Sequence, residues 1–286
     1  MTRVPGRRPE VTRGRDRTAY QGIRIATCRR CWLAGRMENP TLNNRTVRWE
    51  GALNARDLGG LPTTTGVTET GRVFRMARPE GLTEAGWRRA YDEGVRTIVD
   101  LRNAEERPRR PTDPVVSDAL LARFFVISAP TEDCSDPEFL RVCAPVLNSP
   151  ESYRDNLRLW PEKFATVFRA IALSDGAVVV HCSAGRDRTG MVTMVLLSLA
   201  GAAPEVIADD YELAVRAFDE HARLVLQPRE SLPGWELRTA DELERWVAHT
   251  RAELIKALEG FDAAGYLLQA GLTKGEVGAL RARLLA

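Results

Sequence analysis

The feature that most constrains this chain is a short apolar run that meets a glycine-containing loop and then a helix. Ala177-Val178-Val179-Val180 is four residues long and uninterrupted by polar groups. That pattern predicts a strand of a parallel sheet covered on both faces. His181-Cys182-Ser183-Ala184-Gly185-Arg186-Asp187-Arg188-Thr189-Gly190 follows, and the spacing predicts a helix over Thr189 to Leu199. Such a strand delivers Cys182 to the C-terminal edge of a sheet, where open α/β sheets bind ligands. The small residues Ser183, Ala184 and Gly185 let the backbone curl, so that successive N–H groups point inward. With the helix N-terminus they form an anion site without any side chain. Arg188 adds a planar fork of donors suited to phosphoryl oxygens.

The same field acts on Cys182. Inward N–H groups, the helix dipole and Arg188 all favour thiolate over thiol. A charged sulfur beneath the phosphorus of a bound monoester can attack in line, giving a cysteinyl-phosphate that water then cleaves. Ser183, Ala184, Gly185, Arg186, Asp187 and Arg188 form the expected phosphate cradle, which stabilises charge as it moves from sulfur to oxygen. Thr189 Oγ is expected to donate a hydrogen bond toward Cys182. His181 is expected to orient the loop and not to act as a base. This chemistry requires no metal and no other cofactor. A module that binds phosphorylated ligands without turnover is the alternative reading. Sulfur transfer by a cysteine loop fits less well, because Asp187-Arg188-Thr189-Gly190 suits phosphate.

The surrounding pattern predicts an α/β fold with a central, mostly parallel sheet flanked by helices and a helical C-terminal third. Short strands are expected at Gly71–Arg75, Val95–Leu101 and Ala122–Ser128, the last two buried. Pro62–Gly71 is Thr/Gly-rich and reads as loop or hairpin. Thr83 caps a helix through Glu93, ended by Gly94. Tyr153–Leu173 has a helical period broken at Pro161. Pro204 opens a helix to about Arg216. Thr239 with Glu242, and Thr273 with Glu276, are capping boxes for the last helices. The helices within 204–260 are expected to form a lid over the site.

Charge divides the chain in two. Residues 1–45 hold 11 Arg against 3 acidic side chains, and the remainder holds 30 basic and 36 acidic ones. The basic segment reads as a solvated, disordered tail, and residues 46–286 as the catalytic domain. No aromatic interleaving supports a nucleic-acid partner. No apolar stretch is long enough for a transmembrane segment, and the N-terminus lacks a secretory apolar core. The expected location is cytoplasmic; unconventional secretion would leave no mark in the sequence. Five cysteines, an odd number, argue against a disulfide framework. Cys28-Arg-Arg-Cys31 has metal-knuckle spacing without nearby partners and reads as two unengaged thiols.

His181-Cys182-Ser183-Ala184-Gly185-Arg186-Asp187-Arg188-Thr189-Gly190 resembles the signature of protein tyrosine phosphatases, in the bacterial branch of the mycobacterial phosphatase B type. Asn54-Ala55-Arg56-Asp57-Leu58-Gly59-Gly60 resembles that branch near its N-terminus, and Phe74-Arg75-Met76-Ala77 is similar to its Phe-Arg-Ser-Gly. Asp100-Leu101-Arg102-Asn103 with Glu105 and Glu106 is similar to its Asp-Leu-Arg box. Asp210-Tyr211 and the run from Tyr266-Leu267 to Leu284 look like its C-terminal pattern. The resemblance covers about residues 47–286. It implies Cys182 as nucleophile and Arg188 as phosphate binder. It also implies a phosphorylated protein or phosphoinositide substrate, with inorganic phosphate as product. The branch usually has Lys at the position of Arg186, so activity on lipids is less expected than activity on proteins or small monoesters.

A leaving oxygen needs a proton from a nearby carboxyl. The resemblance favours Asp187, whose alternative is a salt bridge to Arg186. Asp133, after the Ala122–Ser128 strand, and Asp100, at the end of Val95–Leu101, are the other candidates. Trp160-Pro161-Glu162 falls in a predicted helix and is set aside. Asp57 is expected to pair with Arg56 beside the site.

Overall fold

The structure, a computed structural model, describes residues 45–225 and 237–285. The basic tail up to residue 44, with Cys28 and Cys31, lies outside them, as does part of the expected lid. In chain order the strands and helices are β1 (Arg56–Asp57), β2 (Pro62–Thr63), β3 (Gly66–Val67), β4 (Val73–Met76), α1 (Glu84–Asp92), β5 (Val95–Asp100), α2 (Asp118–Leu121), β6 (Phe125–Ser128), α3 (Pro137–Val142), α4 (Tyr153–Leu159), α5 (Pro161–Leu173), β7 (Ala177–His181), α6 (Asp187–Leu199), α7 (Pro204–Val225), α8 (Ala240–Leu258), α9 (Ala263–Gln269) and α10 (Lys274–Leu284). The main sheet has the order β1-β4-β7-β5-β6. β1 runs antiparallel to β4, and the other pairings are parallel. β2 and β3 form a separate hairpin.

β7 is the middle strand of five, and every one of its residues is buried. Val178 and Val180 face a core built with α5, α6, α9 and α10, and Ala177 and Val179 face a second core with Trp49, Phe74, Trp87 and Phe124. This alternation is the period-2 geometry of a strand covered on both sides. Burial of each of these valines contributes about 1.5–3 kcal/mol, which fixes the height at which Cys182 leaves the sheet. α6, starting at the loop, is buried almost all round. That is why the sequence after the loop is apolar without periodicity.

Local signals act as expected at several places. Thr83 Oγ1 accepts from Gly86 N at 3.2 Å and caps α1. Pro161 sits at the first turn of α5 and separates it from α4, so Trp160-Pro161-Glu162 is a helix junction. Both capping boxes form, at Thr239 with Glu242 and Thr273 with Glu276. Other expectations are corrected. β6 is not a buried strand: it pairs on one side only, and Phe125 and Val126 are 76% and 65% exposed. Its apolar sequence is that of an edge strand, and periodicity alone does not distinguish the two. α7 continues to Val225, well past Arg216, because its buried stripe extends through Ala222. α9 arises where Asp262 caps a short helix by accepting from Gly265 N, a signal not read in the sequence.

Candidate active site

The loop after β7 is shaped by holding its carbonyls outward. Ser183 O accepts from Arg78 N at 3.1 Å. Asn54 Nδ2 donates to Ala184 O at 2.9 Å and to Gly185 O at 3.0 Å. Arg75 Nη2 donates to Gly185 O at 2.7 Å. With the oxygens turned away, the N–H groups from Ser183 to Asp187 take no acceptor among the described residues. Unengaged N–H groups in succession are the arrangement that suits an anion. Gly185 is required for it: its φ is +66°, and a Cβ there would lie 2.4 Å from the Met76 carbonyl. Asn54 itself has φ +53°, which Asn tolerates better than most residues.

Behind the loop lies a buried ionic cluster. Asp210 on α7 accepts from Arg45 at 2.9 Å, from Arg56 at 3.3 Å and from Arg75. Burial would raise its pKa, but the three guanidiniums outweigh this and hold it far below the usual carboxylate range. Arg56 therefore pairs with Asp210 and, through Nη1, with Asn54 Oδ1 at 2.5 Å. Its expected partner, Asp57, does something else. Asp57 accepts from Gly59 N at 2.8 Å and Gly71 N at 2.7 Å and ties two turns together. Local Asx geometry satisfied that carboxylate before a guanidinium was needed.

Cys182 is 3% exposed at the end of β7. Arg188, the second residue of α6, is clamped by Glu106: Nη1 donates to Oε2 at 2.5 Å and Nη2 to Oε1 at 2.6 Å. Burial works against the Arg188 charge, but Glu106, Glu132 and the Cys182 sulfur sustain it, so it stays firmly protonated. Ser183 Oγ donates to the same Glu106 carboxylate at 2.8 Å. Burial pushes the Glu106 pKa up, yet Arg188 prevails and it is lowered. Glu132 Oε2 lies 3.6 Å from Arg188 Nε. Its side chain is 11% exposed, and burial raises its pKa despite the attraction of Arg188.

The Arg186 guanidinium is buried and held by its neighbours. Its Nε donates to both Asp187 oxygens, at 2.9 and 3.2 Å, and its Nη2 to Asn148 Oδ1 at 3.1 Å. Its guanidinium lies 4.8 Å from the centre of the Phe218 ring on α7. Asp187 also accepts from the Tyr211 hydroxyl at 2.7 Å, so the alternative expected for it, a salt bridge to Arg186, is formed. His181 is buried, and burial lowers its pKa to about 4, leaving it neutral. Its Nδ1 donates to Cys182 O at 3.2 Å, because a carbonyl can only accept. That is an orienting contact. Asp100 is bound by Arg102 at 2.8 and 2.9 Å; burial would raise its pKa, but these contacts lower it.

The remaining expected residues are dispersed. Asp133 is exposed to the cleft and accepts from Ser135 N at 2.9 Å and Ser135 Oγ at 2.6 Å, which lowers its pKa. Thr189 Oγ1 is buried and makes no hydrogen bond with Cys182 or any other described atom. An open cavity of about 500 Å³ borders the site, lined by Asn103, Glu105, Glu132, Cys134 and Lys163 among others. Sequence reading missed the roles of Glu106, Glu132 and Asp210. Glu106 and Asp210 stood in quoted motifs without an assigned partner. Glu132 is next to Asp133, and which of two adjacent acids turns inward has no sequence signal.

The chain matches known proteins along the segment that carries this geometry. Residues 47–286 match the model of the tyrosine phosphatase family. A tyrosine-protein phosphatase of Nostoc commune is 28% identical over 203 residues, covering 67% of this chain and 66% of that protein, just under two thirds of its length. The triple specificity protein phosphatase PtpB of Mycobacterium tuberculosis is 28% identical over 274 residues, covering 82% of this chain and 97% of that protein. By the extent of the family match, this chain belongs to the tyrosine phosphatase family.

Proposed function

We propose that this protein hydrolyses phosphomonoesters through a cysteinyl-phosphate intermediate, with Cys182 as nucleophile and Arg188 as phosphate binder. The observation that carries the reading is the loop itself: its carbonyls are engaged by Arg78, Asn54 and Arg75, its N–H groups take no acceptor among the described residues, and Cys182 stands at its start. Ser183, Ala184, Gly185, Arg186, Asp187 and Arg188 supply the backbone cradle, and Arg188 supplies the side-chain fork. Arg186 contributes through its backbone, since its guanidinium is committed to Asp187, Asn148 and Phe218. In the first step the sulfur attacks phosphorus while the ester oxygen leaves with a proton. In the second, water displaces the sulfur and inorganic phosphate departs. Both steps develop charge inside the same donor array, which needs no reorganisation between them.

Phosphotyrosine in proteins is the preferred substrate class, with phosphoserine, phosphothreonine and phosphoinositides as possible extensions of it. The likeness to a protein named for triple specificity supports a broad range. The commitment of Arg186 to Asp187 and Asn148 favours protein and small monoesters over lipids, because that guanidinium is already engaged and not offered to a second ring phosphate. The contacts of α7 with the loop, through Tyr211 and Phe218, support the lid expected within 204–260. The deciding assay compares hydrolysis of an aryl phosphate by the wild type and Cys182→Ser. Activity should vanish in the variant; equal rates would overturn the proposal.

A further inference from the structure

The proton donor is the part of this chemistry that the loop does not supply. Glu106 occupies the Nη1/Nη2 edge of the Arg188 guanidinium. A guanidinium has a second bidentate edge, formed by Nε and the other hydrogen of Nη2. That edge is the one left for a phosphoryl group, and Glu132 Oε2 faces its Nε at 3.6 Å. The Glu132 side chain reaches this place from the loop between β6 and α3. It also lines the open cavity through which a substrate's leaving group would extend.

Three other carboxyls expected at the site are committed. Asp187 accepts from Arg186 and from the Tyr211 hydroxyl. Asp100 is closed off by Arg102. Asp133 accepts twice from Ser135 and points to the cavity rim. Glu132 has a single, long contact from Asn156 Nδ2 at 3.5 Å besides its approach to Arg188. We propose that Glu132 is the general acid that protonates the leaving oxygen, and the base that receives the proton of the attacking water. This rests on the phosphatase reading above.

The steps balance. The Cys182 sulfur forms the S–P bond as the ester O–P bond breaks, and the Glu132 carboxyl proton passes to the departing oxygen. Water then forms a new O–P bond as S–P breaks, and its proton returns to the Glu132 carboxylate. The environment suits a carboxyl that must hold a proton. Burial is the main influence raising its pKa, and the charges of Glu106 and Asp187 add to it, against Arg188. A phosphate dianion seated on Arg188 adds further negative charge beside it, which pushes in the same direction.

The test uses Glu132→Gln, Glu132→Asp and Asp187→Asn, with kcat/KM measured on phenyl phosphate, a poor leaving group, and dinitrophenyl phosphate, a good one. This ratio reports the first step alone, so slow breakdown of the intermediate does not mask the result. Glu132→Gln should lose about 10²-fold or more on phenyl phosphate and only a few-fold on the dinitrophenyl ester, with Glu132→Asp regaining part of the loss. Alkylation of Cys182 by iodoacetate at the wild-type rate would show that the site is still formed. Equal losses on both esters, no loss on either, or the leaving-group dependence appearing in Asp187→Asn would each overturn the assignment. A wild-type protein inactive on both esters would overturn the phosphatase reading as well.

Discussion

Asp210 supports the geometry of the loop through Arg75, although it touches no part of the loop. Its carboxylate receives Arg45, Arg56 and Arg75 without any solvent exposure. Arg75 then extends to Gly185 O and sets the carbonyl direction. Three positive charges on one negative charge also leave a net positive field behind the loop, which favours a bound phosphate. The cluster is strained electrostatically: burial first, then its cationic neighbours, lower the Arg56 pKa to about 10. Removal of one partner from a buried ion pair typically costs 3–5 kcal/mol, since the remaining charges lose their compensation. Asp210→Asn should therefore lose on the order of 3–5 kcal/mol in urea denaturation. It should also weaken inhibition by inorganic phosphate more than about tenfold, because Arg75 no longer fixes Gly185. Unchanged phosphate inhibition in a destabilised variant would restrict Asp210 to a structural role.

At the scale of elements, α7 joins the loop to the rest of the molecule. Its first turns are core: Ile207, Ala208, Tyr211, Ala214 and Val215 are all buried. Tyr211 reaches Asp187 from this rigid part. Farther on, Phe218 meets Arg186, and Leu224 is 60% exposed. A lid that moves must therefore hinge beyond Val215, since opening the earlier turns would expose the core at about 1.5–3 kcal/mol per large side chain. Hydrogen exchange with and without phosphate should show added protection in α7 after Val215 and in the first turns of α8, with none in Pro204–Val215. Uniform protection along α7, or none, would reject the hinge. Much of this architecture was legible in the sequence, where signals are local: the apolar run of β7, the Thr83 cap, the break at Pro161 and both capping boxes each depend on neighbours in the chain. The placement of Cys182 and Arg188 on one strand–loop–helix unit was legible for the same reason. The edge position of β6 was not, because pairing partners lie far away in sequence. Nor were the partners of Arg188 and Arg56, since Glu106 and Asp210 reach them from other elements across 82 and 154 residues.

On the scale of the whole molecule, the fold withdraws a titratable group from water at its centre, and this sets a pH dependence. His181 is fully buried, and burial lowers its pKa from the ordinary 6.5 to about 4. Between those values the unfolded chain binds a proton that the native state does not, so stability rises with pH and falls as pH drops from about 6.5 toward 4. A shift of this size corresponds to on the order of 3 kcal/mol. His221 on α7, lowered by burial and then by Arg110, acts in the same direction. Glu132 and Asp57, both raised by burial, act in the opposite one. The carboxylates with lowered pKa, Asp100, Glu106 and Asp210, lose their contribution at still lower pH, below the ordinary carboxylate values. The histidine window is thus separable from ordinary acid denaturation. Urea unfolding at pH values of about 7, 5.5 and 4.5 should give a falling free energy for the wild type. The same series on His181→Gln should be flatter, whatever its absolute stability, because its residue at 181 does not titrate. Equal slopes in the two proteins would place the pH dependence elsewhere and require a neutral-to-charged change at a different buried group.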